Sequence, residues 1–140
     1  MTPSQIAAVQ ESFAQVVPIK DAAAALFYER LFEIDPSTRP LFKGDMTEQG
    51  KKLMAALAMV VAGLKDLSGI LPAVQNMARR HAGYGVEERH YDSVGQAFLW
   101  TLEQGLGDAF TPEVRDGWTA AYTTLATAMM DAAKDARAAA

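Results

Sequence analysis

The stretch ILPAVQNMARRHAGYGVEERHYDSVGQAFL, residues 70–99, decides the fold class of this chain. Leu71, Val74, Ala78 and His81 recur at spacings of three, four and three, which puts them on one face of a helix. Pro72 sits where a first-turn proline is tolerated. Gly83-Tyr84-Gly85 stops that helix, because glycine accepts the left-handed backbone with which helices end. Glu87 and Glu88 suit the positive N-terminal end of a next helix, whose stripe is Tyr91, Val94, Phe98 and Leu102.

Working outward, the same period runs through the chain and no segment alternates as a strand does. Thr2-Pro3-Ser4-Gln5 reads as an N-cap, a proline at the first helical position and a capping box. Ile6, Val9, Phe13 and Val16 continue that helix until Pro18 breaks it. A second helix carries Ala24, Tyr28, Leu31 and Phe32 and ends at Asp35-Pro36, which opens a short segment through Phe42. KGDMTEQ, residues 43–49, reads as a loop running into a helix with Met46, Gln49, Leu53, Leu57, Val60 and Leu64 on one face. Ser68-Gly69 is expected to interrupt it. Thr111 and Pro112 start the last helix, with Trp118, Ala121, Leu125 and Met129 as its buried stripe. The alanine-rich end, about 131–140, is expected to fray. The result is an all-α reading: six substantial helices and a short third segment in one domain over residues 1–140.

Composition narrows the function. Half of the 140 residues are hydrophobic and 21% are charged, enough for a core without disulfides. A net charge of −4 and no basic stripe argue against nucleic acid. With no cysteine, thiolate metal sites and disulfides are excluded. LMAALAMVVAGL (53–64) is too short to span a membrane, and the N-terminus lacks the basic and apolar regions of a signal peptide. A cytoplasmic protein is expected, as a monomer or weak homodimer. No phosphate loop, nucleophile elbow or zinc-protease motif occurs, and two histidines nine residues apart have no standard ligand spacing.

Three polar residues fall on faces that should be apolar. His81 lies within about 20° of Val74 around its helix and so points inward. It is either a buried neutral histidine bonded to a carbonyl or the ligand of a metal or cofactor. Tyr28 is a core aromatic whose hydroxyl needs a partner. Gln49 alone reads as a half-exposed boundary residue. Together, an imidazole, a phenol and a carboxamide on the inner faces of three helices could surround one cofactor. His90, beside two glutamates and an arginine on the flank of its stripe, reads as solvated.

LFYERLFEIDPSTRPLF (26–42), EQGKKLMAAL (48–57), the 70–99 stretch and WTAAYTTLA (118–126) occur in order at compatible spacings. Through them the chain resembles the single-domain bacterial haemoglobins and the haem domain of flavohaemoglobins. The resemblance implies a globin fold, three helices over three, around haem b. It makes His81 the iron ligand, with its other ring N–H donating to a carbonyl one turn back. Phe42 would pack on the haem plane, Tyr28 and Gln49 would form the distal pair, and Leu53 would line the pocket above the iron. Tyr91 and Val94 would contact the cofactor on the proximal side, and Arg80, next to His81, joins the cofactor-binding set. The implied ligands are O2, NO or CO, held tightly by a phenol donor. The resemblance also implies an alternative, nitric oxide dioxygenation, with a separate flavin reductase supplying electrons. Flavohaemoglobins place on their last helix a glutamate that serves the proximal imidazole. That position falls here at Ala133, with Asp131 about 160° away around the helix. This favours a gas binder over an enzyme.

Overall fold

The computed structural model describes residues 1–42, 44–83 and 85–139, the last five as backbone only. Among the described residues six helices follow one another: α1 (Pro3–Val16), α2 (Lys20–Ile34), α3 (Met46–Ala62), α4 (Leu67–Gly83), α5 (Glu88–Leu106) and α6 (Pro112–Ala139). Short 3₁₀ turns span Val17–Ile19, Pro36–Leu41 and Gly107–Ala109, and no strand occurs among the described residues.

Local chemistry explains the boundaries. The Thr2 hydroxyl accepts the Gln5 N–H and the Gln5 side chain accepts the Thr2 N–H, closing the capping box that starts α1. Asp35 caps the 3₁₀ turn by accepting the Ser37 N–H at 3.1 Å. Two starts come earlier than the sequence reading placed them, and both are aspartate caps. Asp45 accepts the Thr47 N–H at 2.8 Å, so α3 already begins at Met46, inside the stretch read as a loop. Asp66 accepts the Gly69 N–H at 3.3 Å and the Ser68 hydroxyl at 2.8 Å. The break therefore falls at residues 63–66, and Ser68-Gly69 lies in the first turn of α4 rather than interrupting a helix. Pro72 is consequently inside α4, not in its first turn, and removes one ladder bond there. Leu71 is 42% exposed, and Ile70 packs inward instead.

The main core gathers Val9 and Phe13 of α1, Phe27 and Leu31 of α2, Val60 and Val61 of α3, Phe98 and Leu102 of α5 and Trp118 of α6. Burying side chains of this size contributes about 1.5–3 kcal/mol each. The Trp118 indole N–H donates to the Ser12 hydroxyl at 2.8 Å, and that hydroxyl donates to a carbonyl of its own helix, so the polar groups of this α1–α6 contact are satisfied. A second cluster joins α4 to α6 through Val74, Ala78 and Met129. α6 continues past Asp131 to Ala139, and Ala133 is buried. The side chains of 135–140, where fraying is expected, lie outside the described residues.

The partnerships position the site. α2 packs on α5 and α3, whereas α4 packs on α6. Among the described residues α3 and α4 make no extensive contact with each other, although a short turn joins them. The turn between them covers residues 63–66. Gln49 near the start of α3 and His81 near the end of α4 both lie about 20 Å along the helix axis from that turn.

α2 and α3 cross at Ala24 and Gly50, where a Cβ on the glycine would stand 3.0 Å from the Ala24 Cβ. Gly50→Val is expected to push this crossing apart and cost about 1–3 kcal/mol. Gly44→Ala, with nothing within 4 Å, is expected to be near neutral. Urea unfolding of both variants checks the contrast; equal stabilities contradict it.

Candidate functional site

The Ala24–Gly50 crossing brings the next turn of α2 against the first turn of α3. Tyr28 is buried there, and its hydroxyl donates to the main-chain carbonyl of Gln49 at 3.3 Å. Gln49 thus meets the phenol through its backbone. Phe42, half-buried after the 3₁₀ turn, sets its ring edge-on to Tyr28 with centroids 5.2 Å apart. Phe32 lies 5.7 Å from Phe42 and 6.2 Å from Tyr28, completing an aromatic cluster. Burial pushes the Tyr28 pKa up to about 12, so the phenol keeps its proton at neutral pH and remains a donor.

His81 comes from α4. Its Nδ1 lies 2.7 Å from the Met77 carbonyl oxygen, one turn back. A carbonyl only accepts, so this contact puts the proton on Nδ1 and the lone pair on Nε2. Burial holds the His81 pKa below its usual value near 6.5, outweighing the Met77 bond, which raises it, and the Arg80 charge lowers it further. A neutral imidazole of fixed tautomer results. The backbone is fixed too. Gly85, with φ +93°, donates to the Ala82 carbonyl, and the Val86 N–H donates to the His81 carbonyl, both at 3.1 Å. These are the two bonds of a Schellman cap, which needs glycine at that position.

The remaining sequence-predicted residues are distributed over α3, α4 and α5. Leu53 and Val94 are half-buried against the main core, and Leu53 also lines a small apolar cavity of about 20 Å³ with Phe27, Leu57 and Phe98. Tyr91 packs against the α4–α6 cluster and accepts the Tyr122 hydroxyl on its carbonyl at 2.6 Å. Arg80 is exposed beside His81. Ala133 is buried and Asp131 exposed, so no carboxylate stands at the position that the resemblance gives to a glutamate. Among the described residues no cluster of three or more histidines, cysteines, aspartates or glutamates could hold a metal ion by itself.

His90 corrects the sequence reading. It is 4% exposed, not solvated. It occupies the third position of α5, where its Nδ1 accepts the Glu87 N–H at 2.8 Å and the Glu87 side chain accepts the His90 N–H. An imidazole thus does what glutamate or glutamine does in a capping box, and that bond draws the ring inward. The signal was present in the spacing of Glu87 and His90, but the neighbouring charges suggested solvent.

A helical protein with an aromatic cluster where α2 meets α3 and an oriented imidazole near the end of α4 belongs to an all-α class. The sequence model of the Globin family matches residues 25–129, and the chain belongs to that family. It is 36% identical to a flavohemoprotein of Bordetella parapertussis over 76% of its length and 32% identical to one of Bacillus subtilis over 78%. The chain spans only 27% and 28% of those relatives. Over 99% of its length it superposes, with a TM-score of 0.89 and 27% identity, on 97% of an engineered carbene transferase from Rhodothermus marinus, provisionally described as a nitric oxide dioxygenase. A bacterial globin from Campylobacter jejuni gives 0.86 and 25%, with 97% of this chain and 99% of that one covered. No helix among the described residues is long and apolar enough to cross a membrane.

The Tyr28 environment has a consequence for stability. Above pH 10 an unfolded chain ionises its tyrosines, whereas folded Tyr28 stays protonated to about pH 12. Its contribution is therefore full below pH 10 and is lost as the pH rises through this window, by roughly 1.4 kcal/mol per unit. Tyr28→Phe is expected to flatten the decline when unfolding is measured from pH 9 to 11.5; identical slopes in the two proteins contradict it.

Proposed function

We propose that the chain is a haem b protein that reversibly binds O2, with NO and CO as further ligands, at iron held by His81. One observation carries the reading: a neutral imidazole, oriented through Nδ1 to the Met77 carbonyl at 2.7 Å, stands at the end of α4 as far from the α3–α4 turn as the tyrosine–glutamine pair. The donor set fits the group, since a neutral histidine of fixed tautomer offers Nε2 to a metal. When bound, haem supplies an iron that takes a diatomic gas reversibly.

The chain's own residues divide the remaining work. Phe42, Leu53 and Val94 offer apolar surface to a flat apolar macrocycle, with Tyr91 and Arg80 on the His81 side. Tyr28 supplies a neutral O–H. Its bond to the Gln49 carbonyl, at 3.3 Å, is long enough to exchange for a stronger one to a ligand atom carrying negative charge. The Gln49 carboxamide is the second donor in this reading. Within the family we infer a finer likeness to the Hell's Gate globin, through Lys52-Leu53-Met54, Arg79-Arg80-His81 and the Tyr28, Gln49 and Leu53 set. The protein works in the cytoplasm as a monomer or weak homodimer.

A second reading, nitric oxide dioxygenation to nitrate with electrons from a separate flavin reductase, is supported by the likeness to the Rhodothermus marinus protein. Buried Ala133, at the position that the resemblance gives to a proximal glutamate, favours binding over turnover.

Titration with hemin is expected to give a stoichiometric Soret band. His81→Ala should lose the haem on gel filtration, while His90→Ala keeps it at some cost in stability; equal retention in both variants would sink the assignment. In the reduced, loaded protein Tyr28→Phe is expected to speed O2 release tenfold or more, the effect of losing a hydrogen bond to a charged group worth about 1.5–3 kcal/mol. An unchanged off-rate means that the phenol does not touch the gas.

A further inference from the structure

We infer that His90 is a positioning residue for His81, acting through residues 85–87 of the segment between α4 and α5. The inference rests on the haem reading above, and His90 itself touches neither the gas nor the iron. The chain of contacts is short. The His81 carbonyl accepts the Val86 N–H at 3.1 Å, the Ala82 carbonyl accepts the Gly85 N–H at 3.1 Å, and the His90 Nδ1 accepts the Glu87 N–H at 2.8 Å. Three successive peptide N–H groups are thus held, two by the end of α4 and one by the start of α5. The last of the three is the only one held by a side chain.

That side chain is well anchored. His90 is 4% exposed, so its ring cannot swing to solvent without opening the packing around it. Accepting the Glu87 N–H requires the lone pair on Nδ1 and therefore the proton on Nε2. Nε2 is itself buried with no hydrogen-bond partner among the described residues. A buried donor without a partner costs stability, so the ring is held there by the Nδ1 bond and its packing rather than by satisfying both nitrogens. The same turn of α5 is tied to the end of α2, where the Ser93 hydroxyl donates to the Asp35 carboxylate at 2.9 Å. His90 therefore joins the turn beyond His81 to a helix start that α2 fixes, and α2 also carries Tyr28. The elements that carry Tyr28 and His81 share this reference frame.

The consequence is specific. Without the imidazole acceptor, the Glu87 peptide and the Val86–His81 bond next to it gain freedom, and the backbone that carries the His81 ring loses part of its restraint. Glutamine has the reach and the acceptor to replace the imidazole, because it is a natural capping-box residue at this position. Leucine fills similar volume with no acceptor.

The test compares the parent, His90→Leu and His90→Gln in two measurements. The first, amide hydrogen exchange at Val86 and Glu87 in the protein without haem, needs no cofactor; exchange at Val9 and Leu31 in the core reports global stability. The second is the rate of haem transfer from the loaded protein to an excess of an apo-globin acceptor. His90→Leu is expected to speed exchange at Val86 and Glu87 beyond any change in the core, to speed haem loss roughly five- to tenfold, and to be reversed in both by His90→Gln. Fast exchange at the turn with unchanged haem loss overturns the positioning role and leaves the haem reading intact. Uniformly faster exchange, core included, with no rescue by glutamine also overturns it, since His90 then only adds stability. A parent protein that takes up no hemin overturns the haem reading, and the positioning role falls with it.

Discussion

The close approach of α2 and α3 at Ala24 and Gly50 is the constraint from which the site follows. With no side chain on Gly50, the two backbones meet across the Ala24 methyl, and a Cβ there would come within 3.0 Å of it. One turn along α2 from that contact is Tyr28, and immediately before Gly50 is Gln49, so a packing requirement becomes a hydrogen bond between them. The same crossing commits α3 to α2. α4, joined to α3 by a short turn, commits to α6, and the two helices part. Two helices consecutive in sequence thus choose different partners.

On the α4 side the chemistry is of backbone carbonyls. Met77 offers one to the His81 ring, and His81 and Ala82 offer theirs to the peptide N–H groups of Val86 and Gly85. An interior carbonyl of α4 thus orients the imidazole, and two of the otherwise unsatisfied carbonyls at the helix end hold the turn beyond it. Burial keeps that imidazole neutral and keeps the Tyr28 phenol protonated. Desolvation acts oppositely on the pKa values of a base and an acid, yet in both cases it selects the uncharged form, so one side can offer a lone pair and the other a proton.

The fold class was legible in the sequence because period and punctuation agreed. The Thr2 capping box, the break at Pro18, the Asp35-Pro36 corner and the glycine stop after His81 are all local signals, and the structure follows each. The misplaced boundaries had a common cause. Asp45 and Asp66 are helix caps, but each stands among glycine, serine or threonine, residues that favour turns as strongly as caps, so the sequence does not single out the aspartate that makes the bond. Leu71 fitted the period of α4 and still faces outward, because which face of a first turn is covered depends on neighbours that the sequence does not name. His81 could be placed by its angle to Val74. Its Met77 partner followed from the family resemblance. His90 could not be placed, since a ring drawn inward by a main-chain N–H looks, in sequence, like a polar residue among charges. The use of the Gln49 main-chain carbonyl by Tyr28 was equally hidden, as it depends on how closely two helices cross.

The central claim is that His81, alone of the two histidines, holds the iron of a bound haem. Resonance Raman spectroscopy of the reduced, hemin-loaded protein addresses it directly. An iron–imidazole stretching band should shift when the histidines carry ¹⁵N, and the shift should persist in His90→Gln, where His81 is the only histidine left. A protein that binds haem but shows no isotope-sensitive band, or loses it in His90→Gln, contradicts the account.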